Sequence, residues 1–190
     1  MDLDIGHASY FAHRGKKLNT EEGVINDWLR AIYPKPETEF YSLQICSNGE
    51  DPPDGILRTK TGGTVGIEVT ELVDEELRTQ KIPNKKTHKK AATRRAAKAF
   101  HDYTPDKVCL WIEDRVLSKS KNPFKTGCDR AILVIYSDEP SVRTISELRM
   151  EPIKQGLFNE AWLLLPPTPN TSGRVAANPF CRALAIPLCV

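Results

Sequence analysis

The stretch Pro53-Asp54-Gly55-Ile56-Leu57-Arg58-Thr59-Lys60-Thr61-Gly62-Gly63-Thr64-Val65-Gly66-Ile67-Glu68-Val69-Thr70 reads as two β-strands joined by a glycine turn. Gly-Gly between two strand-like runs is a hairpin signal, and it predicts strands over residues 54–60 and 64–72. In the second, Val65, Ile67 and Val69 alternate with Gly66, Glu68 and Thr70. One face therefore packs on the core while the other presents Glu68 and Thr70 together. Whether Asp54 joins them is a matter of register. A strict two-residue turn at Gly62-Gly63 would set Leu57 against Glu68 and Asp54 against Glu71, with Asp54 and Glu68 on opposite faces. A three-residue loop or a bulge would put them on one face. Thr61-Gly62-Gly63 admits both.

Ahead of the hairpin, Val24, Ile25, Trp28, Leu29 and Ile32 recur at helical spacing. Asn19 suits an N-cap, Glu22 follows three residues later as in a capping box, and Pro34 ends the run. This predicts a helix over about 20–33. Phe40, Leu43 and Ile45 predict a strand over 40–46, which gives way to the turn-forming run 47–53. Residues 1–18 carry no periodicity and read as a polar arm.

Behind the hairpin the composition changes. Basic residues run without interruption up to Asp102 among alanines at 91, 92, 96, 97 and 99, which predicts a basic helix over 87–102. Thr104-Pro105 is a helix start, and Val108, Trp111, Ile112 and Val116 give the next helix, to about residue 121, an apolar stripe. The run Ala131-Ile132-Leu133-Val134-Ile135-Tyr136 suits a strand buried on both faces. A helix within 141–155, a strand over 161–165 and a last strand or docked tail over 183–188 complete the pattern. The expected class is α/β, or α+β: a mixed central sheet flanked by helices. One domain, 19–190, is expected, with the basic helical stretch of about 80–103 as an insertion.

Composition limits the function classes. With 190 residues, 39% hydrophobic and 27% charged, the chain can fill one ordinary globular core. No stretch approaches the ~18 apolar residues of a membrane span. Met1-Asp2-Leu3-Asp4 is acidic where a secretory signal would be basic and then apolar. A cytoplasmic location without membrane attachment is expected. The five cysteines are odd in number and contain no C-x-x-C pair, which suggests neither a disulfide framework nor a zinc knuckle. His88 and His101 have no helical ligand spacing, and no glycine-rich phosphate loop or Ser/Cys nucleophile setting occurs.

A helix, a strand, Pro53-Asp54 heading a second strand, a hairpin, a third strand with Gly66-Ile67-Glu68-Val69-Thr70, then a helix and two hydrophobic strands together resemble the layout of the PD-(D/E)XK nuclease-like superfamily. The resemblance covers roughly residues 20–165, and its specificity comes from the order of elements more than from the letters. It implies a restriction-endonuclease-like core, α-β-β-β-α-β-α-β. It also implies Asp54 and Glu68 as ligands of Mg²⁺ or Mn²⁺, with the Val69 carbonyl as a third oxygen. The family's lysine position holds Thr70. Some members supply the lysine from the following helix, and Lys119, seven residues past Ile112, returns to within ~20° of it on the apolar stripe. Two readings of Lys119 stand: an inward ammonium paired with the hairpin carboxylates, or a side chain that snorkels to solvent. Glutamate from the first helix joins the site in parts of the family, which makes Glu21 a candidate. Its alternative is a first-turn acid favoured by the helix dipole.

The formal net charge is only +2, so a polyanionic partner must be argued from where charges sit. Lys85, Lys86, Lys89, Lys90, Arg94, Arg95 and Lys98 gather behind the candidate metal strand, and Lys86, Lys90, Arg94 and Lys98 follow a four-residue spacing. This cationic edge could follow a nucleic-acid backbone, or dock an acidic protein partner, and it carries no base-reading signature. The expected function is metal-dependent cleavage of phosphodiester bonds, with DNA favoured and a homodimer compatible. The alternatives are a nuclease fold that binds nucleic acid or protein without cutting, which Thr70 favours, and an unrelated α/β protein.

Overall fold

The computed structural model describes residues 17–33, 35–46, 52–72, 104–122, 124, 127–137, 142, 149–154, 156–165 and 181–189. Helix α1 spans Lys17–Ile32 and a single turn, α2, Pro36–Glu39. Strands β1 (Phe40–Ile45), β2 (Gly55–Thr59) and β3 (Thr64–Glu71) lead to helix α3 (Pro105–Lys119). Then come β4 (Arg130–Tyr136), β5 (Ile153–Lys154), β6 (Glu160–Leu165), β7 (Arg182–Ile186) and β8 (Leu188–Cys189). Six strands form one mixed sheet in the order β1-β2-β3-β4-β6-β7, and β5 pairs with β8 in a small second sheet. β3, β4 and β6 run parallel, and the outer pairs are antiparallel. The chain is thus a mixed α/β fold, and among the described residues no helix is long and apolar enough to cross a membrane.

Helices α1 and α3 each bury one stripe, on opposite faces of the sheet. Val24, Ile25, Trp28 and Leu29 of α1 pack with Leu57, Val65, Ile67, Val69, Ile132 and Val134. Val108, Ile112 and Val116 of α3 pack with Leu133, Ile135, Leu163 and Phe158 on the other. β4 lies between the two clusters, which is why its sequence is almost wholly apolar.

Three local expectations are corrected. Helix α1 begins at Lys17, so Lys17 and Leu18 belong to it and not to a polar arm, and Asn19 stands inside the helix where an N-cap was expected. Lys17 and Leu18 both favour helix, and nothing before Asn19 breaks it. The end of the helix expected over 141–155 is corrected, since Ile153–Lys154 is a strand paired with Leu188–Cys189; residues 143–148 of it lie outside the described residues. That pairing is long-range, and local periodicity carries no sign of it. The helix expected over 87–102 lies outside the described residues.

The hairpin has an odd loop. Thr59 N–H donates to Gly63 O at 2.9 Å, leaving Lys60, Thr61 and Gly62 as the turn. Gly62 has φ +91, open to glycine at little cost. Gly63 N–H donates to Thr59 Oγ1 at 2.8 Å, which ties the turn to the strand end.

At the same end, Asp129 caps the start of β3, accepting on Oδ2 from Thr64 N–H at 2.7 Å and from the Thr64 hydroxyl at 3.1 Å. These bonds, the backbone one foremost, hold its carboxyl below the usual carboxylate range. A carboxylate with a lowered folded-state pKa stabilises above its ordinary value of about 3.9 and loses that contribution as pH falls through the lowered value. Thr64→Val is expected to raise the Asp129 pKa toward the ordinary value. An NMR titration of the Asp129 side-chain carbon checks this, and an unchanged pKa would contradict it.

Candidate active site

The register that follows from the odd loop places Gly55 opposite Ile67 and Leu57 opposite Val65. Continued by one residue, it sets Asp54 opposite Glu68, so the two carboxylates share a face of the sheet. Of the two registers open to the sequence, this is the one adopted. Both residues are buried.

The proline explains why the ladder ends there. Thr59 and Gly63 form a hydrogen-bonded pair, and in an antiparallel ladder every second pair does the same. After Leu57–Val65 and Gly55–Ile67 the next such pair would be Pro53 with Val69, and Pro53 has no N–H to give the Val69 carbonyl. Val69 N–H instead donates to Asp54 Oδ2 at 2.7 Å. That bond orients the Asp54 side chain across the strand end, while Cys46 N–H holds its backbone carbonyl at 2.9 Å from β1. In an antiparallel strand the C=O of a residue lies on the same edge as its N–H, so that of Val69 faces the head of β2.

On its other side Glu68 is level with Leu133 of β4. A carboxylate among such neighbours requires a cation. Lys119 supplies it: its ammonium donates to Glu68 Oε1 at 2.5 Å. The side chain continues the buried stripe of Val108, Ile112 and Val116 and remains about one-third exposed at 32%. The last turn of a helix also favours a cation. This end of α3 is firmly seated. Ser120 Oγ donates to Val116 O at 2.8 Å, and Gly156, at φ +59, packs so closely that a Cβ there would stand 2.7 Å from Ser120 Oγ.

Thr70 lies on the Glu68 face one step further along β3 and is half-buried. Glu21 is buried. Ile25, one turn after it, sits over the head of β2, its Cδ1 2.7 Å from where a Cβ on Gly55 would stand. At the other end of α1, Tyr33 packs edge-on against Phe40, ring centres 5.1 Å apart. Phe40 pairs with Thr59 at the far end of β2. Glu21 therefore lies at the Asp54 end of the sheet, on a helix that covers the face opposite Glu68. Lys85, Lys86, Lys89, Lys90, Arg94, Arg95 and Lys98 lie outside the described residues; the described chain leaves at Leu72, just past β3, and returns at Thr104.

Sequence reading missed Gly66 and Phe124. The Phe124 ring lies on Gly66, where a Cβ would come within 2.5 Å of it, and it packs at the edge of the cluster beneath α3. A glycine inside a strand is the signal that marks such a close approach.

Among the described residues no group of three or more His, Cys, Asp or Glu side chains is arranged to hold a metal ion. The donors present are two carboxylates and a backbone carbonyl, all hard oxygens. Such a set suits Mg²⁺, which is commonly held by one or two carboxylates and completes its shell with water and substrate phosphate. Compared with protein-family models, curated proteins and solved structures, the chain matches none.

Proposed function

We propose that this chain is a metal-dependent nuclease acting on DNA, built on a restriction-endonuclease-like core of the PD-(D/E)XK type. The observation that carries this reading is the placing of Asp54 opposite Glu68 with the Lys119 ammonium 2.5 Å from Glu68 Oε1. The order helix, strand, hairpin, helix, strand, strand, with β3, β4 and β6 parallel, supports the same core.

Asp54, Glu68 and the Val69 carbonyl would hold Mg²⁺ or Mn²⁺, which supplies neutralisation of phosphate charge and activation of water. The protein's own part is to fix the oxygens and bring a cationic donor beside them. Asp54 is oriented by the Val69 N–H, so its geometry does not rest on a flexible loop. Lys119 presents N–H donors beside Glu68, where they can orient a water molecule or a phosphate oxygen. It takes the role that the uncharged Thr70 cannot perform. Glu21, at the Asp54 end of α1, is a candidate for a further carboxylate. The basic residues between 85 and 98 would meet backbone phosphates.

Thr70 favours a second reading, a nuclease fold that binds nucleic acid or an acidic protein partner without cutting. Incubation of supercoiled and linear DNA with Mg²⁺ or Mn²⁺, against a chelator control, separates the two. Cleavage that needs the ion and disappears in Glu68→Gln supports the nuclease. Cleavage that persists in Glu68→Gln sinks the proposed site. Salt-sensitive binding without cleavage supports the second reading.

A further inference from the structure

Glu68 serves two cations in this site. Its Oε1 accepts from the Lys119 ammonium at 2.5 Å, and, on the nuclease reading above, the same carboxylate is a metal ligand. An ion bound by a carboxylate lies about 2 Å from the oxygen. The ammonium and the metal would then be close neighbours on one partly buried group, where screening is weak. We infer that Lys119 is a built-in competitor of the divalent cation: tethered to the end of α3, it neutralises Glu68 when no metal is bound and lowers the site's affinity for the ion.

Three features of the structure make this more than a general repulsion. Glu68 is 5% exposed, so water cannot balance its charge and some cation must. The seat of Lys119 is rigid, because Gly156 and the Ser120–Val116 bond fix the last turn of α3. Asp54 has a donor of its own in the Val69 N–H, and the hydrogen bond of the ammonium is to Glu68. The antagonism holds whether the metal displaces the ammonium or binds alongside it, since either way removing the lysine leaves an anion with one fewer competing charge. The consequence is a site of lowered affinity for the free cation, with the ammonium on Glu68 when no metal is bound.

The inference rests on the metal-site reading, and one titration series distinguishes the failure of each. Isothermal titration of the full chain with Mn²⁺, without DNA, compares wild type, Lys119→Met and Lys119→Arg. Lys119→Met is expected to bind about tenfold or more tightly than wild type, while Lys119→Arg keeps the wild-type affinity because it keeps the charge. A merely structural role for Lys119 would leave the Lys119→Met affinity equal or weaker, and that result overturns the inference while leaving the metal site standing. Absence of binding in both wild type and Lys119→Met overturns the metal site and the inference with it. Should Lys119→Met fold poorly, its melting temperature is read with and without Mn²⁺. A larger rise on adding Mn²⁺ than in wild type supports the competition, and an equal or smaller rise overturns it.

Discussion

Asp54→Asn is expected to lower metal-dependent cleavage by more than the ~10–100-fold that follows loss of a supporting partner at a metal site, while the protein melts no lower than wild type. The amide oxygen of asparagine can still accept from Val69 N–H, now 2.7 Å from Asp54 Oδ2, so the strand end keeps its geometry. What is lost is the charge, and with it, on the proposed reading, a hard anionic ligand. Asp54 and Glu68 face each other in a buried setting, where like charges repel, and Lys119 pairs with Glu68, so neutralising Asp54 leaves one carboxylate beside one ammonium. Asp54→Ala differs in a way that can be measured. It deletes the acceptor of a backbone N–H at a buried position, at a cost of about 1–3 kcal/mol. Thermal denaturation and a cleavage assay on the two variants separate ligand from scaffold. Undiminished cleavage by Asp54→Asn would remove Asp54 from the site.

Trp28→Ala is expected to cost about 3–5 kcal/mol, a large part of the 5–15 kcal/mol that holds a typical domain together. Trp28 is fully buried and joins Ile25 and Leu29 on the α1 face that covers Val65, Ile67 and Val69. These three residues alternate with Glu68, so the apolar side of β3 is what holds its polar side in place. Trp28→Phe should cost much less. The phenyl ring keeps most of the buried area, and the change also removes the indole N–H, which is buried and has no hydrogen-bond partner among the described residues. Burying an N–H without an acceptor carries its own penalty, and its removal offsets part of the lost packing. Chemical denaturation of the two variants checks this, and equal destabilisation would overturn the expectation.

The helical phase of α3 was legible from residues alone. Val108, Ile112 and Val116 repeat with the helix period, and the same period carries Lys119 onto the stripe. A period is a local property, so composition and spacing suffice to read it. The continuous apolar run of β4 announced a strand covered on both faces for a similar reason. Asp54 and Glu68 became candidates through the resemblance that the order of elements carries, not through local pattern alone.

Their sharing of one face was not legible. Side chains alternate with a period of two, so one residue more or less in the turn moves Asp54 to the other side of the sheet, and Thr61-Gly62-Gly63 suits both lengths. The choice was made by the bonds between Thr59 and Gly63 and by the pairing of β2 along its whole length with β3, each position of which depends on the others. The contact of Lys119 with Glu68 joins residues on separate elements, 51 positions apart; the sequence offered an inward lysine as one of two readings, and only packing decided between them. The β5–β8 pair, formed where the expected helix was to end, has the same origin. Phase and burial pattern are written along the chain, whereas register and the meeting of distant side chains come only from packing the elements together.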